Sequence, residues 1–306
     1  MVDEVKFLDR RSKSGWEAHE VQCALAHWPH VTLAPTRLGR GTELRSHRWL
    51  PATGFGAVFL CLWWALTTFE ILPQEFLPTP QSALARMFSG LVQGYLSTAL
   101  VTTLQEALLG CLVAAFLGIP LGYAIGKSRM FASIVQPYVV ASQAIPAVAI
   151  APLLTIWIGY GLSSIIVLCT IMVIFPVIVS TSVGVRHIDK DVIGAARLDG
   201  AGGITLFRTM ELPLAAPGVL AGIRTGFTLS ITGAVVGEMI IGGNGLGMIL
   251  LSAQGNGDIR GMFAAIILLA ASAMSIYGLI SLLEWRVNRE VKDHRFRVFS
   301  HTKKEL

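Results

Sequence analysis

Charged residues are scarce in this chain of 306 residues. Asp, Glu, Lys and Arg together make up 14% of it, whereas soluble domains usually carry about 25%. Hydrophobic residues make up 53%, and the mean hydropathy is +0.63. This composition excludes an ordinary water-soluble domain and favours a membrane protein. The first 50 residues lack the basic-then-apolar order of a secretory signal, so we expect no cleaved leader.

Cysteine and histidine are also few, and their positions exclude several kinds of site. The four cysteines form no CxxC pair, so neither a disulfide framework nor a zinc site is indicated. All seven histidines lie outside the long apolar segments, and neither HExxH nor GxSxG occurs. We therefore predict a protein that is not an enzyme, with no catalytic residues, no metal ligands and no cofactor of its own.

The sequence also lacks a complete nucleotide-binding loop. GYAIGKS, residues 122–128, has three residues between its glycines where a P-loop has four, and it ends an apolar segment instead of following a strand. GGNGLG, residues 242–247, is better explained as a tight turn with positive φ angles. We therefore predict no nucleotide-binding site in this chain.

Six long apolar segments are what the sequence does contain. A helix needs about 20 apolar residues to cross a hydrocarbon core of ~30 Å, and no alternating pattern of a membrane barrel occurs. The third segment is interrupted by Pro137, Pro146 and Pro152. We predict an all-α polytopic membrane protein with six transmembrane helices, at residues 52–72, 98–126, 132–158, 162–185, 214–241 and 262–283.

Basic residues are distributed unevenly between the two sides of these segments. If the N-terminal tail and every second loop face the cytoplasm, only Arg86 and Arg260 of the 24 Lys and Arg residues lie in opposite loops. Arg224 lies in the fifth segment, from which it can extend to the lipid headgroups. The positive-inside rule then predicts that both termini are cytoplasmic, and the net charge of +5 indicates anionic lipid rather than nucleic acid.

The predicted organisation has three parts. Residues 1–50 form a cytoplasmic N-terminal arm that is poorly ordered or amphipathic. Residues 51–288 form the six-helix transmembrane domain, with a cytoplasmic loop at residues 186–213. Residues 289–306 form a basic cytoplasmic tail.

The cytoplasmic loop contains KDVIGAARLDGAGGITLFRTMELPLAAPG, residues 190–218. Asp189 or Asp191 can cap a short helix over residues 192–199, which Gly200 ends. A second short helix over residues 205–210 is expected to end ahead of Pro213. Small side chains in the first helix would let another protein approach its backbone. The residues alone leave two alternatives open, a docking surface for another subunit and an ordinary helical hairpin on the membrane surface.

Polar residues inside apolar segments are candidates for a translocation pathway or gate. A charged residue costs about 3 kcal/mol at the bilayer midplane, and Pro146 frees a backbone carbonyl that needs a partner or a wet cavity. If the solute that crosses the bundle is an anion, acidic residues along its route would need pairing or protonation. Such residues therefore suit a gate better than a substrate-binding site. Packing between helices stays an alternative for Glu106. The candidates are Gln105, Glu106, Ser142, Gln143, Pro146, Glu238 and Met239.

The loop resembles the signature loop of importer-type ABC permeases, usually glutamate-Ala-Ala, three residues, Gly, and later Leu-Pro. Ala195-Ala196, Gly200 and Leu212-Pro213 match, whereas Gly194 replaces the usual glutamate. Asp191 or Asp199 can take over the contact that this acid makes. FLPTPQSAL, SQAIPAVAIAPLLTIWIGYG and VVGEMIIGGNGLGMIL resemble the branch that transports nitrate, sulfonate, taurine or bicarbonate. The resemblance covers about residues 72–288.

This resemblance implies a type I ABC importer permease fold and a permease subunit that couples closure of an ATPase to alternating access for a small solute, expected to be a small anion. It implies a second, identical permease chain, two cytoplasmic ATPase subunits that bind ATP and Mg²⁺, an extracytoplasmic solute-binding protein, and location in the bacterial inner membrane. A secondary transporter or channel without ATP is the alternative. The expected coupling residues are Asp191, Ala195, Ala196, Arg197, Asp199, Gly200, Phe207, Leu212 and Pro213.

Overall fold

A computed structural model describes the backbone of residues 49–69, 73 and 75–302, and the side chains of these residues between 54 and 286. The chain has two compact units, residues 1–60 and 61–306. Of the first unit, only the helical stretch from Trp49 is described. The predicted N-terminal arm therefore lies outside the described residues except for its last two.

All regular structure in the described part of the chain is helical. A five-residue π-helical turn, Phe207–Glu211, joins two of the helices. The helices are α1 Trp49–Thr68, α2 Pro80–Val92, α3 Tyr95–Lys127, α4 Arg129–Gln143, α5 Ala147–Trp157, α6 Leu162–Arg186, α7 Lys190–Leu198, α8 Gly203–Leu206, α9 Leu212–Ile241, α10 Leu246–Gly255 and α11 Ile259–Thr302.

The predicted transmembrane segments correspond to these helices, although the count of six is not fully met. Four described stretches are long and apolar enough to cross a membrane: Tyr95–Lys127, Leu162–Arg186, Gly203–Ile241 and Ile259–Arg286. A fifth span is possible if the bent pair α4 and α5 crosses as one. The first predicted span coincides with α1, a helix of 20 residues, and its fully described part, Gly54–Thr68, is apolar.

The third predicted segment is broken by a bend of 95° between α4 and α5. Pro137 and Pro152 lie inside the two helices, and Pro146 is the N-cap of α5, with an extended ψ of 132°. Proline has no N–H to continue the ladder of α4, and its ring disfavours the helical conformation for the residue before it. One of the three prolines therefore divides the segment.

The centre of the described bundle is formed by α3, α6 and α9. Their buried residues include Ala107, Cys111, Leu168, Val173 and Ala234, and all five are at most 4% exposed. Gly110, Gly118, Gly122 and Gly126 lie along α3 where it contacts α6. Lipid tails are as apolar as leucine, so close backbone contact at small residues, rather than the hydrophobic effect, holds such helices together.

We expect the Gly122→Ala substitution to destabilise this contact. A Cβ at Gly122 would lie 2.7 Å from both the carbonyl oxygen of Ile178 and the Cβ of Thr181, so α3 and α6 would have to separate. Overpacking of this kind costs about 1–3 kcal/mol. Thermal unfolding of the purified chain measures the effect. Gly278→Ala, where a Cβ meets nothing within 4 Å, is the matched control, and equal melting temperatures would contradict the prediction.

Two helices that the sequence analysis did not predict lie near the N-terminal end of α3. Thr79 caps α2, accepting a hydrogen bond from the N–H of Ser82, with Pro80 in the first turn. Leu246 of α10 packs with Leu96 of α3. Both helices are too short to span a bilayer. At the other end of the chain, α11 continues to Thr302, past residue 288, where the basic tail was expected to begin.

Candidate functional site

We call residues 189–211 the elbow; they comprise α7, the turn at Gly200, α8 and the π-helical turn. Asp189 caps α7, because its side chain accepts a hydrogen bond from the N–H of Asp191. Gly200, with a φ of +87°, ends the helix, and the N–H of Ala201 donates to the carbonyl of Ala196 at 2.9 Å. This is the Schellman ending that glycine favours. The first helix of the loop thus begins two residues earlier than predicted.

The prediction for the second helix of the loop was wrong. It was expected to end ahead of Pro213, but the backbone runs from α8 through the π-helical turn into α9 without a break. The N–H of Leu212 donates to the carbonyl of Phe207, five residues earlier. Pro213 then lies in the first turn of α9, where a missing N–H costs little. The π-helical turn therefore lies directly before the proline, and the chain stays helical past it.

Two polar contacts and one aromatic contact attach the elbow to the end of α3. Glu211 is buried and accepts hydrogen bonds from the ammonium of Lys127 and the hydroxyl of Tyr123. The ring of Tyr123 packs edge-on against Phe207, with the centroids 5.1 Å apart. The elbow and the end of α3 are therefore linked at the π-helical turn. The sequence analysis included Phe207 but missed Glu211, although this residue directly precedes the Leu-Pro pair.

The elbow exposes large apolar side chains. Leu198 is 91% exposed and Ile204 is 77% exposed, whereas Ala196 is 4% exposed. Ala195 is exposed and Ala196 is buried inside the chain, so the alanine pair does not present one surface. The other expected coupling residues except Phe207 are exposed: Asp191, Arg197, Asp199, Gly200, Leu212 and Pro213. The sequence analysis did not select Leu198 and Ile204, since single apolar residues in a loop carry no signal.

A second group of polar residues is buried at the opposite end of α3 and α9. We call Thr103, Glu106, Glu238 and the backbone of residues 245–247 the carboxylate cluster. Glu238 is 0% exposed and accepts hydrogen bonds from the Thr103 hydroxyl, at 2.7 Å, and from the N–H of Gly247. The N–H of Leu246 donates to Thr103 Oγ1 at 2.9 Å. This arrangement joins the ends of α3 and α9 to the start of α10.

Glu106 lies on α3 three residues after Thr103, and it is close to Glu238. Glu106 is 2% exposed, and its Oε2 has no hydrogen-bond partner among the described residues. The structure thus brings together two residues that the sequence analysis proposed separately. The sequence analysis missed Thr103, although this polar residue lies one helical turn before Glu106 and could have been selected for that reason.

Glycine is required where α10 approaches Glu238. Gly245 and Gly247 are buried, and a side chain at Gly245 would overlap the Glu238 carboxylate and the Thr103 hydroxyl. Gly242 has a φ of +91°, as the tight turn predicted for GGNGLG requires. This segment therefore brings backbone N–H groups to a buried acid.

The other proposed pathway residues do not join the carboxylate cluster through any contact in the described part of the chain. Gln105 is exposed and Met239 is half-buried. Ser142 is half-buried and donates to the carbonyl of Val139 in its own helix, at 2.8 Å. Gln143 ends α4 and Pro146 precedes α5. These last three lie at the 95° bend.

Arg224, which was expected to extend to the lipid headgroups, has partners within the described helices. It forms an ion pair with Glu284 of α11 at 2.7 Å, and its guanidinium lies 4.9 Å from the centre of the Tyr277 ring. The predicted sixth segment ended one residue before Glu284, so the sequence offered no partner inside the membrane. Pairing within the bundle offsets the cost of the charge in lipid.

A third ion pair connects α2 to the loop before α11. Arg86 donates to Asp258 at 2.9 Å, and the N–H of Gly261 donates to the same carboxylate. Burial raises the pKa of Asp258, but the Gly261 N–H and the Arg86 guanidinium outweigh it and hold the pKa below its ordinary value. The pair holds α2 at the same end of the bundle as the carboxylate cluster.

Comparison with known proteins identifies the family. Residues 114–289 match the model of the binding-protein-dependent transport system inner membrane component. The chain belongs to this family. It is 36% identical over 257 residues to the riboflavin transport system permease protein of Chloroflexus aurantiacus, covering 83% of this chain and 96% of that one. It is 32% identical over 202 residues to the taurine transport system permease protein of Escherichia coli, covering 64% and 74%.

A solved structure shares the fold. An inward-facing structure of the MetNI methionine ABC transporter has a TM-score of 0.55 and 21% identity, and the match covers 65% of this chain and 97% of that one. The type I ABC importer permease fold is thus confirmed. This protein is a multi-pass membrane permease subunit of an ABC importer and not an enzyme, since the ATPase of such importers is a separate subunit.

Proposed function

We propose that the elbow is the surface through which ATPase subunits drive this permease, and that the carboxylate cluster belongs to its gate. The observation that carries the proposal is the exposure of Leu198 and Ile204 on an elbow attached to α3 through Glu211. An exposed apolar side chain gains about 1.5–3 kcal/mol when a partner buries it. A force on the elbow would pass directly to α3 and α9.

The proposed assembly is two identical permease chains, two cytoplasmic ATPase subunits that hold ATP and Mg²⁺, and an extracytoplasmic binding protein. Rigid-body closure of the ATPase pair would move both elbows and shift the bundle between two packings. Membership of an ABC importer family supports ATPase and binding-protein partners. Lys and Arg are concentrated in the N-terminal tail, in alternate loops and in the C-terminal tail. This distribution supports a cytoplasmic elbow and two cytoplasmic termini.

Cysteine labelling tests the proposed orientation. We would replace Cys23 and Cys61 with serine and then introduce either Asp199→Cys in the elbow or Asn256→Cys after α10; both positions are exposed. A membrane-impermeant maleimide added to intact cells is expected to label only the second variant, and to label both after permeabilisation. Labelling of Asp199→Cys in intact cells would reject a cytoplasmic elbow and with it the ATPase contact.

The substrate we propose is a small anion of the sulfonate type, because the chain is similar to a taurine permease. A second candidate is an aromatic heterocycle, because the sequence identity of this chain to a riboflavin permease, 36%, is higher than its identity to the taurine permease. Mass spectrometry of the ligand on the partner binding protein, followed by ATP-dependent uptake in proteoliposomes, separates the two. Uptake by the purified chain without its partners would favour a secondary transporter or channel instead.

A further inference from the structure

A cavity of about 880 Å³ lies between the elbow and the ends of three neighbouring helices. The end of α3, the start of α4, the end of α6 and the first turns of α7 surround it. Its volume is within the range of small-molecule sites in proteins, about 300–1,000 Å³. None of the coupling or gating steps proposed above uses this space.

The lining of the cavity is strongly basic. It contains five cationic side chains and one acid, Glu211, which already accepts hydrogen bonds from Lys127 and Tyr123. Arg129 and Lys190 are exposed and form no hydrogen bond or ion pair within the described residues. Arg186 donates to the carbonyl of Ile125 at 3.4 Å. The five cations are Lys127, Arg129, Arg186, Lys190 and Arg197.

Among the described residues that line the cavity, Glu211 is the single acid. Gly194 lines the cavity on the elbow side, and a Cβ built there meets nothing within 4 Å. A glycine at this position therefore leaves open space beside Arg197. Cations held close together at a protein surface repel each other, and a multiply hydrogen-bonding anion relieves the repulsion.

The remaining lining residues indicate the kind of anion. Ser133 and Gln136 add neutral hydrogen-bonding groups, and Ile125, Ala132 and Val185 add an apolar wall. Arg and Lys side chains suit the oxygens of a phosphate group. Basic pockets between transmembrane helices bind the headgroups of anionic lipids.

We propose that this cavity binds a phosphate group, either the headgroup of an anionic phospholipid or a free phosphate anion. Arg129 and Lys190, which lie on α4 and α7, hold it from two sides. The bound group joins the elbow to α4 and α6, in addition to the link to α3 through Glu211. This site is independent of the solute that the permease transports.

The test uses the full chain in nanodiscs and two double variants of equal charge. Arg129→Gln with Lys190→Gln removes two cations from the cavity, and Arg208→Gln with Arg260→Gln removes two exposed cations that do not line it. One arm uses phosphatidylcholine with phosphatidylglycerol, and native mass spectrometry counts the phosphatidylglycerol that stays bound. The other uses phosphatidylcholine alone, titrated with inorganic phosphate and followed by ³¹P NMR. Melting temperatures confirm that both variants are folded.

The wild type and the control variant are expected to bind the probe in at least one arm, and the cavity variant to bind it at least tenfold more weakly. Binding in the phosphatidylglycerol arm alone assigns the site to a lipid headgroup, and binding in the phosphate arm alone assigns it to a free anion. No binding in either arm, or equal binding by the two double variants, overturns the proposal.

Discussion

Replacing Glu238 with alanine is expected to unfold the end of the bundle where α3, α9 and α10 meet, and to abolish uptake. The change removes the acceptor for the buried Gly247 N–H and one of the two acceptors of the Thr103 hydroxyl, which keeps the Ala99 carbonyl. A buried donor left without an acceptor costs about 1–3 kcal/mol, and the space left by the side chain adds a cavity term. We expect a total loss of stability of roughly 2–4 kcal/mol.

Thermal unfolding in detergent and solute uptake in reconstituted vesicles measure the two effects. Glu238→Gln keeps one acceptor oxygen and nearly the same volume, so its loss of stability should be about half as large or less. Ile240→Ala removes an exposed side chain from the same turn of α9 and is the control for truncation. A normal melting temperature for Glu238→Ala would mean that the cluster does not hold these helices together.

Replacing Leu198 with aspartate is expected to leave the permease folded and to reduce ATP-driven uptake by at least tenfold. The side chain is 91% exposed, so the isolated chain loses almost no burial. A docked ATPase would lose about 1.5–3 kcal/mol of apolar contact at each elbow, which corresponds to roughly 10–150-fold in affinity. Co-purification of the ATPase, stimulated ATP hydrolysis and uptake should all fall together.

Thr209→Asp is the matched control, because it adds the same charge at another exposed position of the elbow. Ile204→Ser should reproduce the effect of Leu198→Asp without any charge. The sequence analysis named Ala196 as a coupling residue, but it is a poor choice for this experiment. Its side chain is buried, so a larger residue would disrupt the elbow itself. Normal uptake by Leu198→Asp would exclude this surface from the ATPase contact.

Much of the elbow was predictable because its signals are local. Asp189 and Gly200 act through hydrogen bonds to residues at most four positions away, and these depend on residue type and spacing. The end of the second helix was not predictable from Pro213 alone. A π-helical turn accommodated the proline, and nothing in the spacing distinguishes this solution from a break.

The partners of buried charged residues were beyond sequence reasoning for a different reason. Thr103 and Glu238 are 135 positions apart, and Arg224 and Glu284 are 60 apart. Hydropathy marks each of these residues as costly in a membrane, but it does not identify the helix that each one faces. Direction around a helix is set by packing, and the close contact of α3 with α6 at glycine positions determines it here.

The sequence by itself determined that this chain is a helical membrane permease with an elbow motif, because apolar length, basic-residue bias and short motifs are properties of contiguous residues. Only the tertiary structure decided which polar groups meet. It buried Ala196 and exposed Leu198 on the same short helix, joined Thr103 to Glu238, and gathered five cations around one cavity. Those outcomes depend on the free energy of packing distant helices together, which no local pattern contains.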